Sequence, residues 1–117
     1  MELCEEIKKL RQWLSDNDIV WFDRSTIMSE EKIDYLMHLC GETKRAYFDT
    51  SIYRTHFIIK GELWSAINGF STYGGFEPFE NKNYGMLELK IGDNDPTGWL
   101  SADDITKMIN GANNETT

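Results

Sequence analysis

The sequence predicts an α+β domain, a mainly antiparallel sheet with an N-terminal and a C-terminal helix packed on one of its faces. Three observations predict it. Apolar residues recur at helical spacing through residues 2–16, β-branched and aromatic runs flank Lys60-Gly61, and a capping sequence opens a last helix at Ser101. The chain of 117 residues suits one domain over 1–111, which can bury about two-thirds of the surface its unfolded form exposes, with a disordered tail over 112–117.

In chain order, Leu3, Ile7, Leu10 and Leu14 set the buried stripe of the first helix, with Trp13 beside them. Glu5 and Glu6 with Lys8, Lys9 and Arg11 make its solvated face. Asn17-Asp18 ends it, and Ile19-Val20-Trp21-Phe22 reads as a short buried strand. Ser29 caps a second helix, Glu30 and Glu31 suit the positive end of its dipole, and Ile33, Leu36, Met37 and Cys40 share a face. Gly41 supplies its stop. Ala46-Tyr47-Phe48, inside a polar stretch, reads as a turn or a short strand.

The clearest local signal is the hairpin, with strands over 52–59 and 62–68 and Gly61 supplying the positive φ of a two-residue turn. It sets Phe57 opposite Trp64 and Ile58 opposite Leu63, two large pairs on opposite faces, so both faces are expected to be at least partly buried. A turn at Gly61-Glu62 instead would slip this register. Phe70, Tyr73, Phe76, Phe79 and Tyr84 then follow among Gly69, Gly74, Gly75 and Pro78 without a period of either kind, which describes a long structured loop. Residues 85–91 alternate as a strand, 93–98 turn, and Trp99-Leu100 adds a short edge strand. Ser101 and Asp104 form a capping box for a helix to about Asn110, stopped by Gly111.

A net charge of −8 and a pI near 4.7 argue against binding a nucleic-acid backbone, which needs a basic stripe. An acidic surface can instead occupy another protein's basic groove. Cys4 and Cys40 lie in amphipathic patterns rather than a C-x-x-C, as buried reduced thiols do. There is no apolar leader and no apolar run of membrane-spanning length, so a cytoplasmic location without a membrane partner is expected. No zinc-spaced cluster, Walker loop, H-E-x-x-H or G-x-S-x-G occurs, so neither a metal nor a cofactor nor a catalytic residue is assigned.

Three stretches carry candidate chemistry. The aromatic, glycine-rich loop presents Tyr73, Gly74, Gly75 and Phe76. Aromatic rings there can stack on a base while glycines let amides approach phosphate; the plainer reading is a lid packed on the sheet. Trp64 and Trp99 complete the aromatic set, and Arg54, His56 and Lys90 are the groups that would meet an anion. Second, Asp93, Asp95, Thr97, Ser101 and Asp104 repeat the oxygen positions of an EF-hand loop with Gly98 in the sixth place, but a strand enters it and position 12 is Asp rather than Glu. The plainer reading is an Asp-Pro turn before a capped helix. Third, Glu88-Leu89-Lys90 has the E-x-K spacing of some metal-dependent nucleases without an assignable upstream Asp, as an ordinary exposed strand face also would.

The run from Leu63 to Gly75 (LWSAINGFSTYGG), then Gly85-Met86-Leu87-Glu88, then Thr97 to Asp104 (TGWLSADD) resembles small, mostly uncharacterised proteins encoded by phages and prophages of Gram-positive bacteria. The resemblance covers about the C-terminal half and transfers no catalytic residue; Lys90 is not part of its pattern. It implies an accessory protein of a mobile element that counters a host defence. The resulting expectation is a non-enzymatic protein that binds either a small nucleotide signal or a host defence protein. In the nucleotide version Tyr73, Phe76 or Trp99 stacks on the base and Arg54 or Lys90 meets phosphate. A nuclease using Glu88 and Lys90 and a calcium module at residues 93–104 are the alternatives. So many aromatics in a small domain are also compatible with a homodimer that buries some of them.

Overall fold

The Lys60-Gly61 turn sets the register of the sheet. In the computed structural model, which describes residues 3–41, 45, 48–77, 80 and 82–114, it joins β2 (Ile52–Ile59) to β3 (Glu62–Gly69). Lys60 and Gly61 both adopt positive φ, as a two-residue hairpin turn of this twist requires. Phe57 faces Trp64 and Ile58 faces Leu63, the predicted pairs. Around this hairpin the sheet grows to five strands in the order β1-β2-β3-β6-β7, with β1 (Trp21–Asp23), β6 (Leu87–Ile91) and β7 (Thr97–Leu100), every pairing antiparallel. A separate two-residue ladder, β4 (Phe76–Glu77) with β5 (Lys82–Asn83), forms inside the aromatic loop.

Two helices cover one face of the sheet. α1 (Glu5–Asp16) buries Ile7, Leu10 and Leu14, and α3 (Ala102–Asn114) buries Ala102, Ile105, Thr106 and Ile109. All of these but Thr106 share one core with Phe57, Ile59, Trp64, Ala66, Leu87 and Leu89, the inward residues of β2, β3 and β6. The α+β architecture with terminal helices on one face is therefore as the sequence predicts. Arg11 does not join the solvated face of α1 but fastens the helix to the first two strands: its Nε donates to Thr55 Oγ1 at 2.7 Å and its Nη2 to Asp23 at 3.2 Å, while its guanidinium lies over the Trp21 ring. The capping box holds α3: the Asp104 amide donates to Ser101 Oγ and the Ser101 amide to the Asp104 carboxylate. No described helix is long and apolar enough to cross a membrane.

α2 (Glu30–Cys40) stands apart from that core. Ser29 accepts the Lys32 amide and Gly41 closes the helix in the left-handed conformation, both as predicted, and Arg45 pairs with Glu30 and Asp34. Of the predicted apolar face only Ile33 is buried, and Cys40 is exposed rather than buried; Cys4 packs half-buried against the core, where burial raises its thiol pKa.

Other expectations are corrected. Residues 19–22 do not form a buried strand: β1 is the edge of the sheet, and Val20 and Phe22 are exposed. Gly111 does not stop α3, which continues to Asn114 because Ala112 packs against the core. Both faces of the hairpin are partly buried, as expected, but unequally, since Ile58 and Leu63 remain 52% and 45% exposed. Ala46, Tyr47, Pro78, Phe79 and residues 115–117 lie outside the described residues.

Candidate functional site

The loop between β3 and β6 is drawn tightly against β7 by glycines that leave no room for a side chain. A Cβ on Gly75 would stand 1.9 Å from Thr72 Oγ1 and 2.7 Å from the Gly69 carbonyl oxygen. One on Gly98 would stand 2.2 Å from Tyr73 Cβ, and one on Gly74 would meet the Trp99 backbone. Backbone bonds follow from this closeness: the Trp99 amide donates to the Tyr73 carbonyl at 3.2 Å and the Met86 amide to that of Gly74 at 2.9 Å. The Gly75 amide is engaged by the Thr72 carbonyl at 2.9 Å, so this glycine serves backbone packing rather than a phosphate cradle.

What this bracing presents is aromatic. Tyr73 is 62% exposed and Trp99 is 56% exposed, and together with Tyr84 and residues 71–77 they line a cleft of about 170 Å³. Tyr84 meets the Trp99 ring edge-on, with centroids 5.0 Å apart. Trp99 is held at φ +59°, a left-handed conformation that Cβ and carbonyl sterics disfavour by about 1–2 kcal/mol for such a residue. This conformation belongs to a β-bulge of β7, where Gly98 and Trp99 together stand opposite Glu88 of β6, and bulges re-aim side chains beside functional sites.

Among the described residues one carboxylate lines the cleft, that of Glu77. The Tyr84 hydroxyl donates to the Glu80 carboxylate, and from the helix-free face of the sheet Glu88 Oε1 accepts the Tyr73 amide at 3.1 Å. The hydrogen bond to Glu80, reinforced by the charges of Glu80 and Glu77, pushes the Tyr84 phenol above its usual pKa. Lys82, whose ammonium lies 4.6 Å above the Tyr84 ring, is the cation that offsets them among the described residues of this loop.

The structure divides the predicted site residues three ways. Tyr73, Gly74, Gly75, Phe76 and Trp99 meet at the cleft. Trp64 is 3% exposed and packs on Phe57 in the core, under the helices. Arg54, His56 and Lys90 do not line the cleft; they lie on the side of the sheet away from the helices, where alternation places them with Phe22, Ile58, Leu63, Ser65, Ile67 and Glu88. Burial, and then the Arg54 and Arg24 charges, lower the His56 pKa. Sequence reasoning left Tyr84 and Glu77 out of the site, although their place in the same aromatic loop was the available signal.

Neither metal reading gains a ligand set. The Asp104 carboxylate caps α3 and Thr97 begins a strand, so the EF-hand-like positions do not converge; Glu88 and Lys90 share the open face without a third ligand. Among the described residues no group of three His, Cys, Asp or Glu side chains is placed to hold a metal. Comparison with protein-family models, curated proteins and solved structures gives no match to this chain.

Proposed function

We propose that this is a non-enzymatic phage or prophage accessory protein, acting in the bacterial cytoplasm, that counters a host defence by occluding a defence protein. The aromatic cleft makes the contact. The observation that carries this reading is Trp99, an exposed tryptophan kept in a left-handed backbone conformation and braced by Tyr73 and Tyr84. Rigid exposed Trp and Tyr side chains are the residues that most often dominate protein–protein contacts.

Sequestering a nucleotide signal is the weaker version. A cleft of about 170 Å³ falls below the ~300 Å³ at which small-molecule sites begin. The Glu77 carboxylate on its lining, with Glu80 bonded to the Tyr84 hydroxyl, also repels phosphate and suits a partner surface bearing Arg or Lys, whose cations stack on Trp and Tyr. In the setting that the C-terminal resemblance implies, that partner is a basic surface of a defence protein.

The test is phage plating on defence-carrying bacteria that express the wild-type chain, Trp99→Ala or Tyr73→Ala. The wild type is expected to restore plating, and each folded variant to lose most of that effect. Full activity in both variants, or a nucleotide released from the purified protein in native mass spectrometry, would overturn the occlusion reading.

A further inference from the structure

We propose that the helix-free face of the sheet is the contact surface between two copies of this chain, related by a two-fold axis that runs along β3. The inference is independent of the aromatic cleft. It starts from the strand order, in which β3 is the middle of five strands, so that a two-fold along it lays β2 of one copy over β6 of the other.

Register then decides what meets. Arg54 on β2, Ile67 on β3 and Glu88 on β6 lie in one row across the sheet, because Arg54 pairs with Ile67 and Ile67 with Glu88. Turning that row about its centre puts Arg54 over the partner's Glu88, Glu88 over the partner's Arg54, and Ile67 against its own counterpart. This is the self-complementarity an isologous interface needs. Along the axis β3 offers no charge on this side between its turn and its end: Leu63, Ser65 and Ile67 are the residues that alternation sends there. Glu88 is already oriented by the Tyr73 amide, which engages Oε1.

The next row is compatible. Phe22, His56, Ser65 and Lys90 pair in sequence across β1, β2, β3 and β6, so His56 meets the partner's Lys90. Burial and the Arg54 and Arg24 guanidinium groups favour the neutral imidazole, which can accept a hydrogen bond from an ammonium group. Phe22, Ile58 and Leu63, about half exposed in one copy, would leave water. The strands hold three, eight, eight, five and four residues, which at ~3.3 Å rise and ~4.8 Å spacing give a projected area of roughly 440 Å². Enlarged by side-chain relief, it reaches the ~500 Å² per partner at which a specific interface begins. Sheets stacked in this way cross at about −30°, which preserves the pairing best near β3, where Arg54, Ile67 and Glu88 lie.

Sedimentation velocity on the full chain over a range of concentrations tests the proposal. The wild type is expected to be a dimer. Arg54→Glu and Glu88→Arg, each confirmed as folded by circular dichroism, are expected to dimerise at least tenfold more weakly. Mixing these two single variants is expected to restore a dimer containing one copy of each, because every axial pair is then opposite in charge. Ile67→Asp, which sets two carboxylates together on the axis, serves as an independent disrupting variant. A wild type that stays monomeric throughout leaves the face to some other partner and overturns the proposal. A dimer that survives Arg54→Glu and Ile67→Asp, or single variants that do not re-pair on mixing, would also overturn it.

Discussion

The same two strands build two very different surfaces. On the helix side β2 and β3 present Phe57, Trp64 and Ala66, all essentially buried; on the other side they present Ile58 and Leu63, half exposed, beside Arg54, His56 and Ser65. Apolar side chains at alternating positions therefore report that a face can be covered, and the rest of the chain decides whether it is. Here α1 and α3 both reach the core side, while α2, the one further helix among the described residues, contributes nothing to that core.

The largest expected effect is the most direct way to break this comparison. Phe57→Ala removes a fully buried ring that packs on Trp64 at 5.8 Å and should cost about 3–5 kcal/mol in urea unfolding. Ile58→Ser, one residue along and on the other face, should cost about 0.5 kcal/mol or less under dilution that keeps the chain monomeric. Comparable losses at the two positions would mean that the second face is covered within a single copy.

A smaller effect separates strain from contact at the aromatic cleft. Trp99→Gly and Trp99→Ala delete the same ring, but only glycine is at ease at φ +59°. Trp99→Gly should therefore be about 1 kcal/mol more stable than Trp99→Ala, with the proposed anti-defence activity lost equally in both. Equal stabilities would show that Trp99 can leave the left-handed conformation at no cost, which would remove the argument that the strain is maintained for binding.

Much of the fold was legible because its signals are local. The Lys60-Gly61 register, the Ser29 cap, the Gly41 stop and the Ser101–Asp104 box depend on residues within a few positions of one another, and each formed as read. What failed depended on distant packing. Val20 and Phe22 read as buried because they are apolar, but nothing in a strand's own sequence states that it will be an edge. Gly111 read as a helix stop, yet contact of Ala112 with the core carries the helix past it. The candidate site was legible as a stretch, 73–76 with Trp99, but not as a shape. The left-handed Trp99 belongs to a β-bulge of β7 against β6, and Arg54 and Lys90 were separated from the cleft by strand order, neither of which composition encodes.

The smallest effect asks whether the open face, although uncovered, still withdraws a group from water. His56 is held below its usual pKa first by burial and then by Arg54 and Arg24. Below its unfolded value of about 6.5 the unfolded chain takes up the proton more readily than the folded one. The stability contributed by the neutral imidazole is thus fully present above that pH and is lost as pH falls through the lowered folded value. His56→Gln removes the titration and keeps the polarity. Between about pH 7 and pH 5 the wild type should lose more stability than the variant, while the carboxylates titrate alike in both. Parallel curves would mean that His56 is as well hydrated as a free side chain and that the contrast between the faces is sharper than the structure draws it. A steeper wild-type curve would mean that strand neighbours Phe22 and Ser65, together with the Arg54 and Arg24 charges, already disfavour the imidazolium in this row before any second layer arrives.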